Sequence, residues 1–224
     1  MNDQLLKFHN WLTENCGIYL SMVANGSNAT GDTWIEGRSD QDILLVFSTN
    51  FHGDLEKIKN YLKKSSFTDE YLFVPFTKED FLRPHNSTHD FSRKFRTKTL
   101  FGEELISKVQ LPTKEQTYEL YSKGLDDFVD RLERRLLNTG FWSEKKVRSV
   151  FWKFFKDALM FLQIKHYYET GVYPKTRDEL VQSYNSPELV EILGILKGIN
   201  EVEKNVIIQT AENLFQYLSH QRKT

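Results

Sequence analysis

The chain has 224 residues, 39% of them apolar and 14% aromatic, enough to close a substantial core without disulfides or metals and too apolar for a disordered segment. Its 30 basic and 31 acidic residues leave a formal net charge of −1, without the basic excess of a protein that lives on nucleic acid, so a large nucleic-acid partner is not expected. No stretch approaches the ~18 consecutive apolar residues of a membrane span, and the N-terminus lacks the apolar core of a secretory signal, so a cytoplasmic protein is expected.

Residues 1–16 read as a helix with Leu5, Phe8, Trp11 and Leu12 on one face. Its single cysteine, Cys16, cannot form an internal disulfide and has no zinc-type spacing around it, so it reads as a small buried apolar residue. Residues 18–23 are β-branched and aromatic enough for a strand, which runs into the turn formers Asn25-Gly26-Ser27-Asn28. A polar, glycine-bearing loop over 28–38 precedes a strand over 40–47, polar at its start and continuously apolar after, the pattern of a strand covered on both faces. An amphipathic helix is expected over 54–64 with Leu55, Ile58 and Leu62 inward, then an aromatic strand over 70–76 closed by Pro75. Residues 77–110 are mixed, with a loop at 83–87, a short strand at 99–102 and a brief helix at 103–107.

Leu111-Pro112-Thr113 is the expected boundary between domains. Beyond it, 114–138, 143–170, 177–184 and 187–219 all carry helical periodicity with charged outer faces, punctuated by Gly140 and Gly171. The expected architecture is an α/β (α+β) N-terminal domain over 1–111 with a small mixed sheet, followed by an all-helical C-terminal bundle over 112–224. The aromatic run Phe151, Trp152, Phe154, Phe155 and Phe161, with Tyr167 and Tyr168, reads mostly as helix core, with room for one or two rings in an acceptor pocket. Asp126, Asp127, Asp130 and Asp157 read as a solvated helix face, or as holders of a cationic acceptor.

The chemistry concentrates in two stretches. Asp40 and Asp42 are two apart on a strand, so their carboxylates leave the same face, where a divalent cation relieves their repulsion. Magnesium takes hard oxygen ligands, one or two carboxylates together with substrate phosphates. Gly26-Ser27 follows a strand at a tight turn, where glycine lets backbone approach a ligand and the hydroxyl and N–H groups can hold phosphate oxygens. Phosphate grip plus metal-holding carboxylates makes a phosphoryl- or nucleotidyl-transfer site. A third carboxylate on a neighbouring strand would complete the metal site or take a proton from an acceptor hydroxyl. Glu70 is the first candidate and Asp69, on the opposite strand face, the second.

The run GSNATGD…SDQDILLVF, with 12 residues between Ser27 and Asp40, resembles the signature of the polymerase-beta type nucleotidyltransferase superfamily. Gln41 departs from it, since the residue between the aspartates is usually apolar, but it would face away from the site. The segment LMFLQIKHYYETGVYPKTRDEL (159–180) is similar to the C-terminal part of aminoglycoside adenylyltransferases of the streptomycin/spectinomycin kind. The resemblance implies an antibiotic-resistance type of transferase with ATP as co-substrate, Mg2+ held by Asp40 and Asp42, and phosphates held by Gly26 and Ser27. It further implies a catalytic carboxylate at Glu70, Lys175 reaching the triphosphate across a domain cleft, and a small-molecule acceptor. A protein or RNA acceptor, and a non-catalytic, antitoxin-like nucleotide-binding module, are the alternatives. A related helical domain in toxin–antitoxin systems carries an Arg-x(4–6)-His ribonuclease motif. His166 and His220 have no arginine at that spacing, and Arg83 with His89 lies outside the helical region, so that activity is not expected. His85 and His89 read as surface residues.

Overall fold

The computed structural model describes residues 3–32, 41–68 and 71–221. The chain divides into two compact units, Met1–Leu111 and Pro112–Thr224.

The first unit is a small mixed sheet with helices on both faces. α1 (Asp3–Asn15) leads into β1 (Tyr19–Asn25), the short α2 (Ser27–Thr30), β2 (Gln41–Phe47), α3 (Leu55–Lys64), β3 (Tyr71–Thr77), α4 (Lys78–Leu82), α5 (Thr88–Phe95) and β4 (Thr97–Gly102). The strand order is β3-β2-β1-β4. β1 pairs antiparallel with β2 and β4, and β2 pairs parallel with β3. β2 is covered on both faces, as its continuous apolar run requires. Ile43, Leu45 and Phe47 pack with Leu5, Phe8, Leu12, Cys16 and Ile58, while Leu44 and Val46 pack with Phe81, Leu105 and Val109. Phe8 is the hub of the first layer, fully buried among the rings of Tyr61, Phe67 and Phe73. Leu62 and Trp11 pack at its rim.

Four local readings are corrected. The turn at 26–28 is the start of a helix, Ser27–Thr30, because Gly26 takes the backbone reversal alone. Residues 77–95, read as mixed with a loop at 83–87, carry a helix on either side of that loop. Thr77 caps α4 by accepting the Asp80 N–H, and Ser87 with Asp90 forms a capping box at α5. The helix expected over 103–107 is only a 3-10 turn, Ile106–Lys108. Pro75 lies inside β3 rather than at its end, tolerated because β3 is an edge strand.

The second unit is all helical: α6 (Lys114–Leu136), α7 (Glu144–Thr170), α8 (Arg177–Tyr184), α9 (Pro187–Gly198) and α10 (Lys204–Gln221). The stretch of helical periodicity over 187–219 is two helices, since the chain turns at 199–203 after Gly198. Phe151 and Phe155 are core, packed with Phe128, Leu159, Leu180, Ile192, Leu214 and their neighbours, and Trp152, Phe154 and Phe161 lie against that core. Among the described residues no helix is long and apolar enough to cross a membrane.

Candidate active site

β1 ends at Asn25, which pairs across the sheet with Asp42 on β2 and with Thr97 on β4. The next residue, Gly26, has φ 77° and ψ −148°, a backbone conformation essentially closed to side-chain-bearing residues. Its carbonyl accepts the N–H groups of Ala29 (3.1 Å) and Thr30 (3.3 Å), closing α2, and Gly31 ends that helix in the left-handed region. A Cβ on Gly26 would stand 4.0 Å from Asp42 Oδ2. The turn and the carboxylate are therefore neighbours, with no side chain of residue 26 between them. Alternation along β2 places Asp42 on the face of Leu44 and Val46, and its parallel partner on β3 is the exposed Leu72.

The end of α5 holds this corner from behind. Ser92 Oγ donates to Asn25 Oδ1 at 2.9 Å, the Gly26 N–H donates to Arg96 O at 2.9 Å, and Arg96 Nη2 donates to Asp32 Oδ2 at 2.7 Å. The Asp32 side chain is 0% exposed and that of Arg96 11%. Sequence reading missed Asp32, Ser92 and Arg96. Asp32 stands inside the quoted signature run, but its partner is 64 residues away.

Asp40, Asp69 and Glu70 lie outside the described residues, as does the side chain of Ser27. Among the described residues no group of three histidine, cysteine or carboxylate side chains could hold a metal ion. Asp42 is a hard oxygen donor beside Gly26, the kind of ligand that magnesium takes rather than a thiol- or imidazole-seeking ion.

No protein-family model matches the chain, and no curated protein matches its sequence. Among solved structures it is similar to the spectinomycin adenyltransferase AAD(9) from Enterococcus faecialis, crystallised with ATP and spectinomycin. The TM-score is 0.55 at 13% sequence identity, over 97% of this chain and 98% of that one. The fold is adenyltransferase-like.

Within this adenyltransferase-like fold, Lys175 occupies a well-braced turn of the helical unit. Gly171 ends α7 in the left-handed region, Tyr173 is buried, and the buried Gln163 Nε2 donates to Pro174 O at 2.8 Å. The Lys175 N–H donates to Glu179 Oε2 at 2.7 Å, and Thr176 with Glu179 forms the capping box of α8, leaving the lysine exposed. Two open hollows flank the turn. One, of about 320 Å³, is lined by Lys114, Thr117, Tyr167, Tyr168 and Glu169; the other, of about 380 Å³, by His166, Tyr173, Glu179 and Gln182 among others. Asp126, Asp127 and Asp130 are exposed on α6, while burial pushes the Asp157 carboxyl above the usual range despite Arg131, Lys156 and Lys153 nearby. His85 and His89 are exposed, and His85 Nε2 lies 2.8 Å from Asp80 O.

Proposed function

We propose that the chain is a magnesium-dependent nucleotidyltransferase that moves AMP from ATP to a hydroxyl of a small molecule of the aminoglycoside type. The observation that carries this reading is the glycine-only turn at Gly26 set directly beside the Asp42 carboxylate at the end of the central strands. The likeness of fold to an adenyltransferase crystallised with ATP and spectinomycin supports the reaction class and the kind of acceptor.

In this reading Gly26 and Ser27 hold the β- and γ-phosphates. Asp42 holds magnesium together with Asp40, two residues earlier in the sequence. Magnesium, when bound, neutralises charge on the phosphates and on the departing pyrophosphate. Glu70, two residues before Leu72, takes the acceptor proton, with Asp69 as the other candidate. The acceptor oxygen forms a bond to the α-phosphorus as the bond from that phosphorus to the β-bridging oxygen breaks. Pyrophosphate leaves, and the hydroxyl proton passes to the carboxylate. Lys175 of the helical unit steadies the triphosphate as a compact point charge.

The test is pyrophosphate release with magnesium and each of the four nucleoside triphosphates, with and without a panel of aminoglycosides, spectinomycin and lincosamides. The expected result is release that needs ATP and one member of the panel. Asp42→Ala is expected to reduce it to background with an unchanged circular dichroism spectrum. A variant that keeps most of its activity would overturn the assignment. ATP binding with no release across the panel would favour the binding-only module.

A further inference from the structure

The reading above assigns Gly26, but leaves unexplained why the segment from Gly26 to Asp32 is held where it is. That segment is pinned at both ends by one residue. At its start, the Gly26 N–H donates to the backbone oxygen of Arg96 at 2.9 Å. At its end, the guanidinium of the same arginine donates to Asp32 Oδ2 at 2.7 Å. Thr30 joins the two ends from inside: its hydroxyl donates to Gly26 O at 3.2 Å and accepts the Asp32 N–H at 3.4 Å.

Arg96 is itself fixed. It is the C-terminal cap of α5, its N–H bonded to Ser92 O at 2.8 Å, and Ser92 in turn donates to Asn25. An ion pair this deeply buried is a poor device for stability alone, because both charges must be stripped of water. Among the described residues, Arg96 Nε is also buried without a hydrogen-bond partner, a further cost. What the pair supplies is direction: a donor set on a planar guanidinium, Nη2 meeting Asp32 Oδ2, fixes an angle as well as a distance. The object so fixed is the turn whose glycine stands beside Asp42.

We infer that Arg96 and Asp32 are positioning residues for nucleotide binding: their ion pair clamps the phosphate-gripping turn at its working distance from the Asp42 carboxylate. This inference rests on the functional reading above. Neither residue touches the nucleotide. Each acts through the backbone of 26–32, so the effect falls on triphosphate affinity more than on folding.

The fold provides its own control. Arg93 and Asp90 form a second buried pair on α5, and Arg93 also donates to the carbonyls of Asp80, Phe81 and Arg83, away from the turn. A change there removes bonds to residues 80–83 and leaves Arg96 with its own bonds to Gly26 and Asp32. Binding of Mg·ATP is measured by calorimetry in the full chain and in Arg96→Lys, Asp32→Asn and Arg93→Lys, each alongside its melting temperature. Lysine keeps the charge of Arg96 and loses the planar guanidinium; asparagine keeps the shape of Asp32 and loses the charge. Arg96→Lys and Asp32→Asn are expected to weaken Mg·ATP roughly tenfold or more, as loss of a positioning contact does, while Arg93→Lys lowers the melting temperature and binds within about twofold of the parent. Unchanged affinity in the first two variants, with only the melting temperature lowered, would overturn the inference and leave the nucleotide site standing. Equal weakening in Arg93→Lys would also overturn it, by showing that any loosening of α5 suffices. Absence of Mg·ATP binding in the parent chain would remove the functional reading, and the inference with it.

Discussion

Gly26 carries two requirements at once. Its φ of 77° with ψ of −148° suits only glycine, and it lies beside Asp42, where a Cβ would stand 4.0 Å from Oδ2. Gly26→Ala tests both. The strained conformation costs about 1–3 kcal/mol, and the new methyl group would stand beside the carboxylate. The expected outcome is a lower denaturation midpoint together with loss of pyrophosphate release, read by urea titration and a release assay on the same preparation. Alanine tolerated without effect on either would mean that the turn relaxes freely and does not grip phosphate. Local sequence carried much of this corner. A glycine after a strand, and an acidic pair opening an apolar strand, are visible within some twenty residues. Arg96 was not legible, because an arginine at the end of a helix looks the same whether it faces water or a carboxylate 64 residues earlier.

Elements show the same division. α5 lies in a stretch that reads as mixed, although its Ser87-x-x-Asp90 box is a helix-start signal in the sequence. Pro84 and Asn86, just before it, mark the loop at 83–87, which the structure has. α9 and α10 read as one helical stretch because their apolar periodicity continues across the break at 199–203. Asp157 illustrates how an element's surroundings set chemistry. It sits on α7, where burial raises its pKa and Arg131, Lys156 and Lys153 only partly offset that rise. The folded chain thus holds this proton more tightly than the unfolded chain does. The resulting stability is fully present below the unfolded value, about 4, and is lost as pH rises through the raised folded value. Asp157→Asn is therefore expected to melt higher than the parent at pH 7, with the gap closing as the pH approaches about 4. Melting curves across that range decide it. A gap constant with pH would assign the effect to packing rather than to charge.

At the scale of the whole molecule, the functional reading predicts linkage between ligand and stability. A ligand that binds only the folded chain adds about 2.7 kcal/mol at a hundredfold excess over its dissociation constant. Mg·ATP is expected to raise the melting temperature of the first unit's transition, and EDTA to abolish the rise, because the phosphates and the carboxylates repel without the cation. The readout is a thermal melt with ATP alone, magnesium alone and both. A shift of the same size with ATP and EDTA would sink the magnesium part of the reading while leaving the phosphate turn in place.

Periodicity and turn chemistry by themselves determined where most elements lie, since both depend on neighbours within a few residues. They placed α1, β1, β2, α3 and most of the helical unit, and set Gly26 at a turn beside the strand that carries Asp42. The strand order β3-β2-β1-β4, which residues cover each face of β2 and the place of Pro75 on an edge strand were decided only by tertiary structure. So was the arginine that clamps both ends of the 26–32 segment. The physical reason is common to all four. Sequence pattern records which side chains avoid water, but not which distant partner they meet when they do.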